Sequence, residues 1–134
     1  MKQQIATLKP GRRLPAVSKT LTQEQIDRYA VVSGDGNPLH TDRRFAATTR
    51  FGGTVAHGML VLAYLSEMLT RAFGEAWLRS GRLKVRFRAP ARPGDTVTAS
   101  GTVVQSGDGR VRCEVQCANV RGEVLISGEA EVEG

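Results

Sequence analysis

The sequence has no long apolar run, and this argues against a membrane-spanning protein. Its longest stretch of apolar residues, Met59 to Leu65, is far shorter than the roughly 20 residues that a helix needs to cross a bilayer. The first residues, Met1 to Gln4, do not open the apolar core of a signal peptide. We therefore expect a cytoplasmic protein without a membrane segment.

Cysteine and aromatic residues are also scarce. Cys113 and Cys117 lie in a segment typical of a strand, where a spacing of four residues separates the Cα atoms by about 13 Å, too far for a disulfide. We expect both to be core thiols. Aromatic residues make up only 5% and the basic residues are scattered, so the basic patch with stacking side chains that nucleic-acid binders use is missing. We expect no nucleic-acid partner.

The composition that is present is that of one folded domain. The chain has 134 residues, of which 40% are hydrophobic and 24% charged, as in ordinary globular proteins. We predict a single domain over residues 1–134. Lysine and arginine outnumber aspartate and glutamate by 19 to 13, and the net charge of +6 suits an anionic partner such as nucleic acid, a phosphorylated cofactor or an acidic carrier protein.

Two helices are predicted from periodicity and end signals. The first covers Leu21 to Ser33, because Thr22 and Gln25 have the spacing of a capping box and Gly34 follows as a stop signal. The second runs from His57 to about Phe73. It is apolar on nearly every side over its first turns, which is typical of a helix buried all round.

Between these helices, residues 35–56 are predicted to be loop-like. The Asn37-Pro38 pair favours a turn, and Thr41 or Asp42 can start a short helix. A long irregular segment inside a small domain is usually functional or disordered, and this one has too few charges to be disordered.

Four strands are predicted after the second helix. The first is Leu83 to Phe87, and the other three alternate apolar and polar residues. Their apolar positions are Val97, Ala99, Val103; Val111, Cys113, Val115, Cys117; and Val124, Ile126, Ala130, Val132. We predict an α+β hot-dog fold, in which an antiparallel sheet wraps around the buried central helix and leaves an edge that a second subunit can extend.

The irregular segment holds the residues that suggest chemistry. Asp35 lies five residues before His40, and Pro38 is expected to prevent a regular helix between them. The turn at Asn37-Pro38 allows the two side chains to converge on one water molecule. The alternative is that Asp35 caps a turn and His40 is a loop histidine bonded to backbone. Similarly, His57 is either a functional residue or a packed one, and Gly58 either offers its amide to a ligand or merely begins a helix.

A resemblance to a known family bears on these alternatives. The residues that carry it are Tyr29, Ser33-Gly34-Asp35, Asn37-Pro38-Leu39-His40, Asp42, Ala46, Phe51 and Ala56-His57-Gly58-Met59, with Val85 to Pro90 and Pro93-Gly94-Asp95 further on. In order and spacing they resemble the signature of the MaoC-like, (R)-specific enoyl-CoA hydratase family. The similarity spans most of the chain.

The resemblance implies both an activity and roles for particular residues. In this family Asp35 and His40 would activate a water molecule that adds to a trans-2-enoyl thioester, or is removed in the reverse reaction. Asn37 would orient that pair, and the Gly58 amide would bind the thioester oxygen. It further implies a coenzyme A or acyl-carrier-protein thioester as substrate, a homodimer, and neither a metal nor a redox cofactor. We expect His57 and Met59, which flank Gly58, to contact the substrate.

Two positions depart from the family pattern. Ala63 stands where the family often has a serine on the central helix, so an accessory hydrogen bond is missing. Gly36 stands where a larger residue is common, which loosens the loop or enlarges the pocket.

Two other functions remain open. A hot-dog thioesterase generally needs a carboxylate on or near the central helix, and here Glu67 comes about two and a half turns after Gly58. A non-catalytic subunit that binds acyl thioesters would have no need of an intact Asp35/His40 pair.

A row of basic residues suggests where the anionic end of a substrate binds. Lys84, Arg86 and Arg88 alternate with Leu83, Val85 and Phe87. At strand period the basic residues therefore share one face, while the apolar set is expected to enter the core. Such a face is either simply solvated or binds phosphates. We predict that Arg86 and Arg88, together with nearby Arg92, contact the phosphates of coenzyme A or of a carrier's prosthetic arm.

Overall fold

The fold is a five-stranded antiparallel sheet packed on one long helix. The computed structural model describes residues 8–134. Its strands are β1 (Val17–Thr20), β2 (Arg82–Phe87), β3 (Thr96–Gly107), β4 (Arg110–Asn119) and β5 (Val124–Glu133), and its helices are α1 (Gln23–Ser33), α2 (Pro38–Thr41), α3 (Arg43–Ala47), α4 (Gly58–Phe73) and α5 (Glu75–Ser80). The strand order is β1-β3-β4-β5-β2, and all four pairings are antiparallel. The predicted α+β hot-dog fold is confirmed.

Helix α4 lies against one face of the sheet and forms the centre of the core. Leu65, Met68 and Leu69 on this helix have no exposed surface. The prediction that the helix is buried on all sides is wrong, because Met59 is 57% exposed and Ala63 is also exposed. The sheet of a single chain covers only one side of the helix and leaves the Met59 side open.

The two cysteines face this core from β4, as predicted. Cys113 and Cys117 are buried free thiols, and the Cys117 thiol lies 3.8 Å from the Val61 carbonyl oxygen of α4. Burial raises the pKa of the Cys113 thiol to about 11 and that of Cys117 to about 12. Both therefore stay protonated at neutral pH and behave as small apolar side chains.

The first helix begins two residues later than predicted. Thr22 is its N-cap and accepts a hydrogen bond from the Gln25 amide at 3.1 Å, so Leu21 lies outside the helix. In a full capping box the Gln25 side chain would bond back to the Thr22 amide. Here it instead accepts a hydrogen bond from the Tyr64 hydroxyl of α4 at 3.1 Å. The helix ends at Gly34, whose φ of 78° is left-handed.

Three elements have no counterpart in the prediction. Strand β1 is mainly polar, so it lacks the apolar alternation that identifies a strand in the sequence. It pairs with β3 partly through hydroxyl contacts, such as Ser18 to Thr98 at 2.7 Å. Helix α2 starts with Pro38, where a missing N–H costs nothing, although this proline was expected to prevent a helix. Helix α5 is a single short turn after Gly74. The short helix predicted from Thr41 or Asp42 is confirmed as α3, with Asp42 as its N-cap.

Candidate active site

The segment between α1 and α4 brings three predicted residues together. One side-chain atom from each of these residues, a carboxylate oxygen of Asp35 and a ring nitrogen of His40 and of His57, lies within 4.8 Å of the other two. This segment is tied to the body of the fold by the backbone, since the Ala56 amide donates to the Ala91 carbonyl at 2.8 Å. The three residues therefore belong to one site.

The orientation of His40 follows from its hydrogen bonds. Its Nδ1 lies 2.8 Å from the Val55 carbonyl oxygen, and because a carbonyl only accepts, Nδ1 carries the proton in the neutral ring. The other nitrogen, Nε2, is then unprotonated and faces the Asp35 carboxylate at 3.9 Å. Only 12% of the His40 side chain is exposed. The arrangement presents one basic nitrogen at the surface of the site.

Asp35 provides the open side of the pair. Its side chain is 55% exposed, and Oδ1 accepts a bond from the Asn37 amide at 3.3 Å. The 3.9 Å between Oδ2 and the His40 Nε2 is too long for a direct hydrogen bond. It is close to the separation at which both atoms can contact one water molecule.

The side chain of Asn37 bonds to the backbone rather than to the side chains of Asp35 and His40. Its Oδ1 accepts a bond from the Leu39 amide at 2.9 Å and so caps α2. The Asn37 carbonyl also accepts from the His40 amide at 3.0 Å. This residue therefore orients His40 through the short helix that carries it.

The side chain of His57 points inward. It is 3% exposed, its ring stacks on that of His40 with centroids 3.8 Å apart, and its Nε2 lies 3.0 Å from the Asp35 main-chain oxygen. His57 therefore contacts Asp35 and His40 of the segment between α1 and α4. Its exposed neighbour Met59 is open to a ligand.

Gly58 begins helix α4 beside an apolar cleft. The cleft has a volume of about 330 Å³ and is lined by Gly58, Val61, Phe87, Ala91, Ile126 and other mainly apolar residues, with Arg50 and Arg88 among them. No side chain caps α4, so its first amides, Gly58 included, point toward the space before the helix. These N–H groups and the helix dipole make a site for an oxygen that gains negative charge.

Phe87 has a different place from the one predicted. It was expected to enter the core with Leu83 and Val85, yet it is 55% exposed. Its ring lies over Gly58, where an added Cβ would come within 2.9 Å of the Phe87 Cε1 atom. The residue stands at the end of the edge strand, and there it forms a wall of the cleft.

The predicted basic row is present, but Arg92 is not part of it. Lys84, Arg86 and Arg88 line one recess along β2 together with Ser127 and Glu129. Arg92 lines another recess with Arg43, Gly52 and Gly53. Arg88 borders both its recess and the apolar cleft, and its Nε donates to the Ser127 hydroxyl.

The same three residues were also considered as a metal site. The His40 and His57 rings are within 25° of parallel, so their in-plane lone pairs run side by side rather than converge on one ion. Each ring also has one nitrogen at a backbone carbonyl. The geometry suits proton transfer better than metal coordination.

Two supporting residues escaped the sequence reasoning. Gln23 at the start of α1 donates to the His40 carbonyl at 2.8 Å, and its Oε1 accepts from the Thr54 hydroxyl at 2.7 Å. Thr54 is buried, which hints at a buried polar partner, but a single sequence offers no signal for a contact between residues so far apart.

Comparison with known proteins finds similarity along most of the chain. Residues 6–124 match the model of the MaoC like domain family. The chain is 38% identical over 120 residues to an (R)-specific enoyl-CoA hydratase of Rhodospirillum rubrum, covering 87% of this chain and 82% of that protein. It is 36% identical over 119 residues to 3-hydroxyacyl-thioester dehydratase Z of Mycobacterium tuberculosis, covering 86% and 74%.

Solved structures give the same result for the fold. The R-hydratase PhaJ1 of Pseudomonas aeruginosa superposes with a TM-score of 0.85 at 29% identity, covering 97% of this chain and 84% of that one. The (R)-hydratase of Aeromonas caviae superposes at 0.82 and 28%, covering 95% and 97%.

The fold and site together define a hot-dog protein in which Asp35 and His40 lie next to the N-terminus of the central helix. Within that class, the chain belongs to the MaoC-like domain family, as the resemblance predicted. The relatives named (R)-specific enoyl-CoA hydratase, 3-hydroxybutyryl-CoA dehydratase and 3-hydroxyacyl-thioester dehydratase are hydro-lyases, which agrees with the predicted reaction class.

Proposed function

We propose that this chain is a hydro-lyase that adds water to trans-2-enoyl thioesters to form (R)-3-hydroxyacyl thioesters, or catalyses the reverse dehydration. The observation that carries the proposal is the unprotonated Nε2 of His40 facing the Asp35 carboxylate at 3.9 Å. The names of the relatives support the same reaction.

In the proposed reaction, Asp35 and His40 hold one water molecule between them. As the water oxygen attacks the β-carbon of the double bond, the pair takes one of its protons, and negative charge moves onto the thioester oxygen. The Gly58 amide donates to this oxygen and stabilises the enolate. The pair then returns a proton to the α-carbon, so that H and OH have been added and no charge is left over.

The cleft beside Gly58 suits an acyl thioester. Its lining is mainly apolar, which favours an acyl chain, and Arg88 lies at its border with Arg86 further along β2. We infer that these arginines attract the phosphates of coenzyme A or of a carrier protein's prosthetic arm. Met59, exposed next to Gly58, is placed to contact the acyl part.

A homodimer is part of the proposal. Strand β2 is an edge of the sheet and has six residues, whereas the opposite edge strand β1 has four. Near it, Met59 and Phe87 expose 57% and 55% of their surface. Pairing of β2 with its copy would extend the sheet and cover this apolar area.

No helix within residues 8–134 is long and apolar enough to cross a membrane, and the cytoplasmic location stays a prediction.

Product analysis tests the function. The purified protein is incubated with a trans-2-enoyl thioester, and we expect a 3-hydroxyacyl thioester of R configuration. A free thiol would instead identify a thioesterase, and no product with any acyl thioester would indicate a binding subunit. The thioesterase has less support, because Glu67 forms ion pairs with Lys19 at 3.2 Å and Arg71 at 2.6 Å.

A further inference from the structure

Three aromatic rings from three elements stack behind the acid–base pair. Tyr29 of α1 meets the His57 ring edge-on, with centroids 4.8 Å apart and 64° between the planes. On its other side, the His57 ring lies against His40 of α2 at 3.8 Å. His57 is thus enclosed between a helix and the catalytic residue, and the proposed reaction gives it no role.

A hydrogen bond ties the same ring to Asp35. Because the Asp35 main-chain oxygen only accepts, the His57 Nε2 at 3.0 Å is the donor. The other nitrogen, Nδ1, is then unprotonated, and it is buried without a hydrogen-bond partner among residues 8–134. His57 contacts the backbone of one member of the pair and the ring of the other.

Asp35 has few other ties to the fold. Its amide donates to Ser33 at 3.2 Å, and its carboxylate accepts from Asn37 at 3.3 Å, both within two residues along the chain. The bond from His57 spans 22 residues. Within residues 8–134, this is the hydrogen bond that ties Asp35 to a residue distant in the sequence.

We propose that His57 is a positioning residue that fixes the acid–base pair relative to the oxyanion donor. His57 is the N-cap residue of α4 and directly precedes Gly58, so one residue joins the amide that binds the thioester oxygen to both Asp35 and His40. It transfers no proton itself. This inference rests on the proposed function for its effect on turnover, but not for its effect on the structure of the segment.

Two variants separate the two contacts of His57. His57→Phe keeps a ring for stacking and removes the donor, whereas His57→Gln keeps an N–H that can reach the Asp35 oxygen and removes the ring. Tyr64→Phe is the matched control, because it deletes a hydrogen bond to Gln25 elsewhere on the same helix. For each protein, kcat, KM and the amide hydrogen exchange of residues 34–41 are measured.

We expect His57→Phe to lower kcat about 100-fold, since a misplacement of about 1 Å has an effect of this size. KM should change little, because the cleft is untouched, and exchange in residues 34–41 should become faster. His57→Gln should recover part of both losses. Tyr64→Phe should change neither.

Other results would overturn the inference. Unchanged exchange in residues 34–41, or a loss of kcat no larger than that of Tyr64→Phe, would show that His57 does not position the pair. A loss as complete as that of Asp35→Asn with unchanged exchange would make His57 a proton-transfer group. If the wild-type protein hydrates no enoyl thioester, the proposed function fails, and hydrogen exchange alone then decides for or against the positioning role. If His57→Phe does not fold, His57→Gln decides it.

Discussion

At the scale of single residues, backbone carbonyls determine which histidine nitrogens carry protons. The Val55 oxygen places the proton of neutral His40 on Nδ1 and leaves Nε2 unprotonated. The Asp35 main-chain oxygen places the proton of neutral His57 on Nε2 and leaves Nδ1 unprotonated. Neutral imidazole has one donor and one acceptor, so fixing one nitrogen fixes the other. The two rings are in contact, yet only His40 turns a free nitrogen toward the Asp35 carboxylate.

Asn37 offers a graded test at this scale. Asn37→Ala removes the cap of α2 and should cost roughly 1 kcal/mol of local stability, enough to lower kcat roughly fivefold if it shifts the population of the correctly placed His40. Asp35 and His40 themselves remain, so the loss should be far smaller than in their own variants. Steady-state kinetics measure it, with Asn37→Asp as the control that keeps a capping oxygen. Loss of activity equal to that of His40→Ala would mean that the segment collapses without Asn37.

The sequence was informative where chemistry and local backbone coincide. The spacing of Asp35 and His40 around a proline turn predicted their convergence, and Gly58 at the start of an apolar helix predicted a helix terminus in the site. The inward direction of His57 and the contacts of Gln23 and Tyr29 were not predictable. These contacts depend on how α1 packs against residues 17 to 31 positions away in the sequence, and a bond to a backbone acceptor leaves no trace in residue type.

At the scale of elements, the N-terminus of α4 and the end of β2 form the cleft together. Phe87 lies over Gly58 because glycine leaves no side chain there. The sequence pattern placed Phe87 in the core by alternation, but alternation alone does not tell whether the last residue of an edge strand is covered. Strand β1 and helix α5 were missed for a related reason, since a short polar edge strand and a one-turn helix lack the periodicity that identifies longer elements.

Gly58→Ala tests this arrangement. The new Cβ would lie 2.9 Å from the Phe87 ring, so the ring must move into the cleft and the approach to the amide is obstructed. Loss of one oxyanion donor typically lowers kcat by about 100-fold or more, and we expect a loss of at least tenfold here. The double variant Gly58→Ala/Phe87→Ala should restore much of it by removing the clash. Wild-type kinetics in the single variant would show that the displaced Phe87 ring does not obstruct the Gly58 amide.

The basic row on β2 gives a second prediction for an element. Arg86→Gln combined with Arg88→Gln should raise KM for the thioester about three- to tenfold at low salt and leave kcat unchanged, because phosphate attraction acts on binding. The effect should vanish near 1 M salt, where the screening length is about 3 Å. Arg43→Gln with Arg92→Gln, in the separate recess, is the matched control. A fall in kcat with constant KM would mean that Arg86 and Arg88 support the structure and do not bind the phosphates.

At the scale of the whole molecule, the sheet of one chain leaves part of its central helix open. Met59 and Ala63 are exposed on α4, and the longer free edge of the sheet, β2, ends close by at Phe87. Nothing in the periodicity of α4 distinguishes a side covered by the same chain from one covered by a second copy. That ambiguity explains why the helix was expected to be buried all round.

We expect a homodimer in sedimentation velocity at micromolar concentration. Phe87→Glu should shift it toward monomer, because a charge would be placed in the apolar area that dimerisation covers. Val120→Glu, at another exposed apolar residue in the turn between β4 and β5, should leave the dimer intact. A wild-type protein that sediments as a monomer would contradict the proposed assembly.

The proposed hydration depends on Asp35 and His40 acting as a pair. The direct measurement is the rate of hydration of a trans-2-enoyl thioester by the wild-type protein, Asp35→Asn and His40→Ala, with circular dichroism to confirm that each is folded. General acid–base groups contribute roughly 10²- to 10⁴-fold each, so both folded variants should lose activity by at least the lower figure. Near-normal turnover in either one would contradict the central claim, because the remaining residue would then be catalysing hydration without its partner.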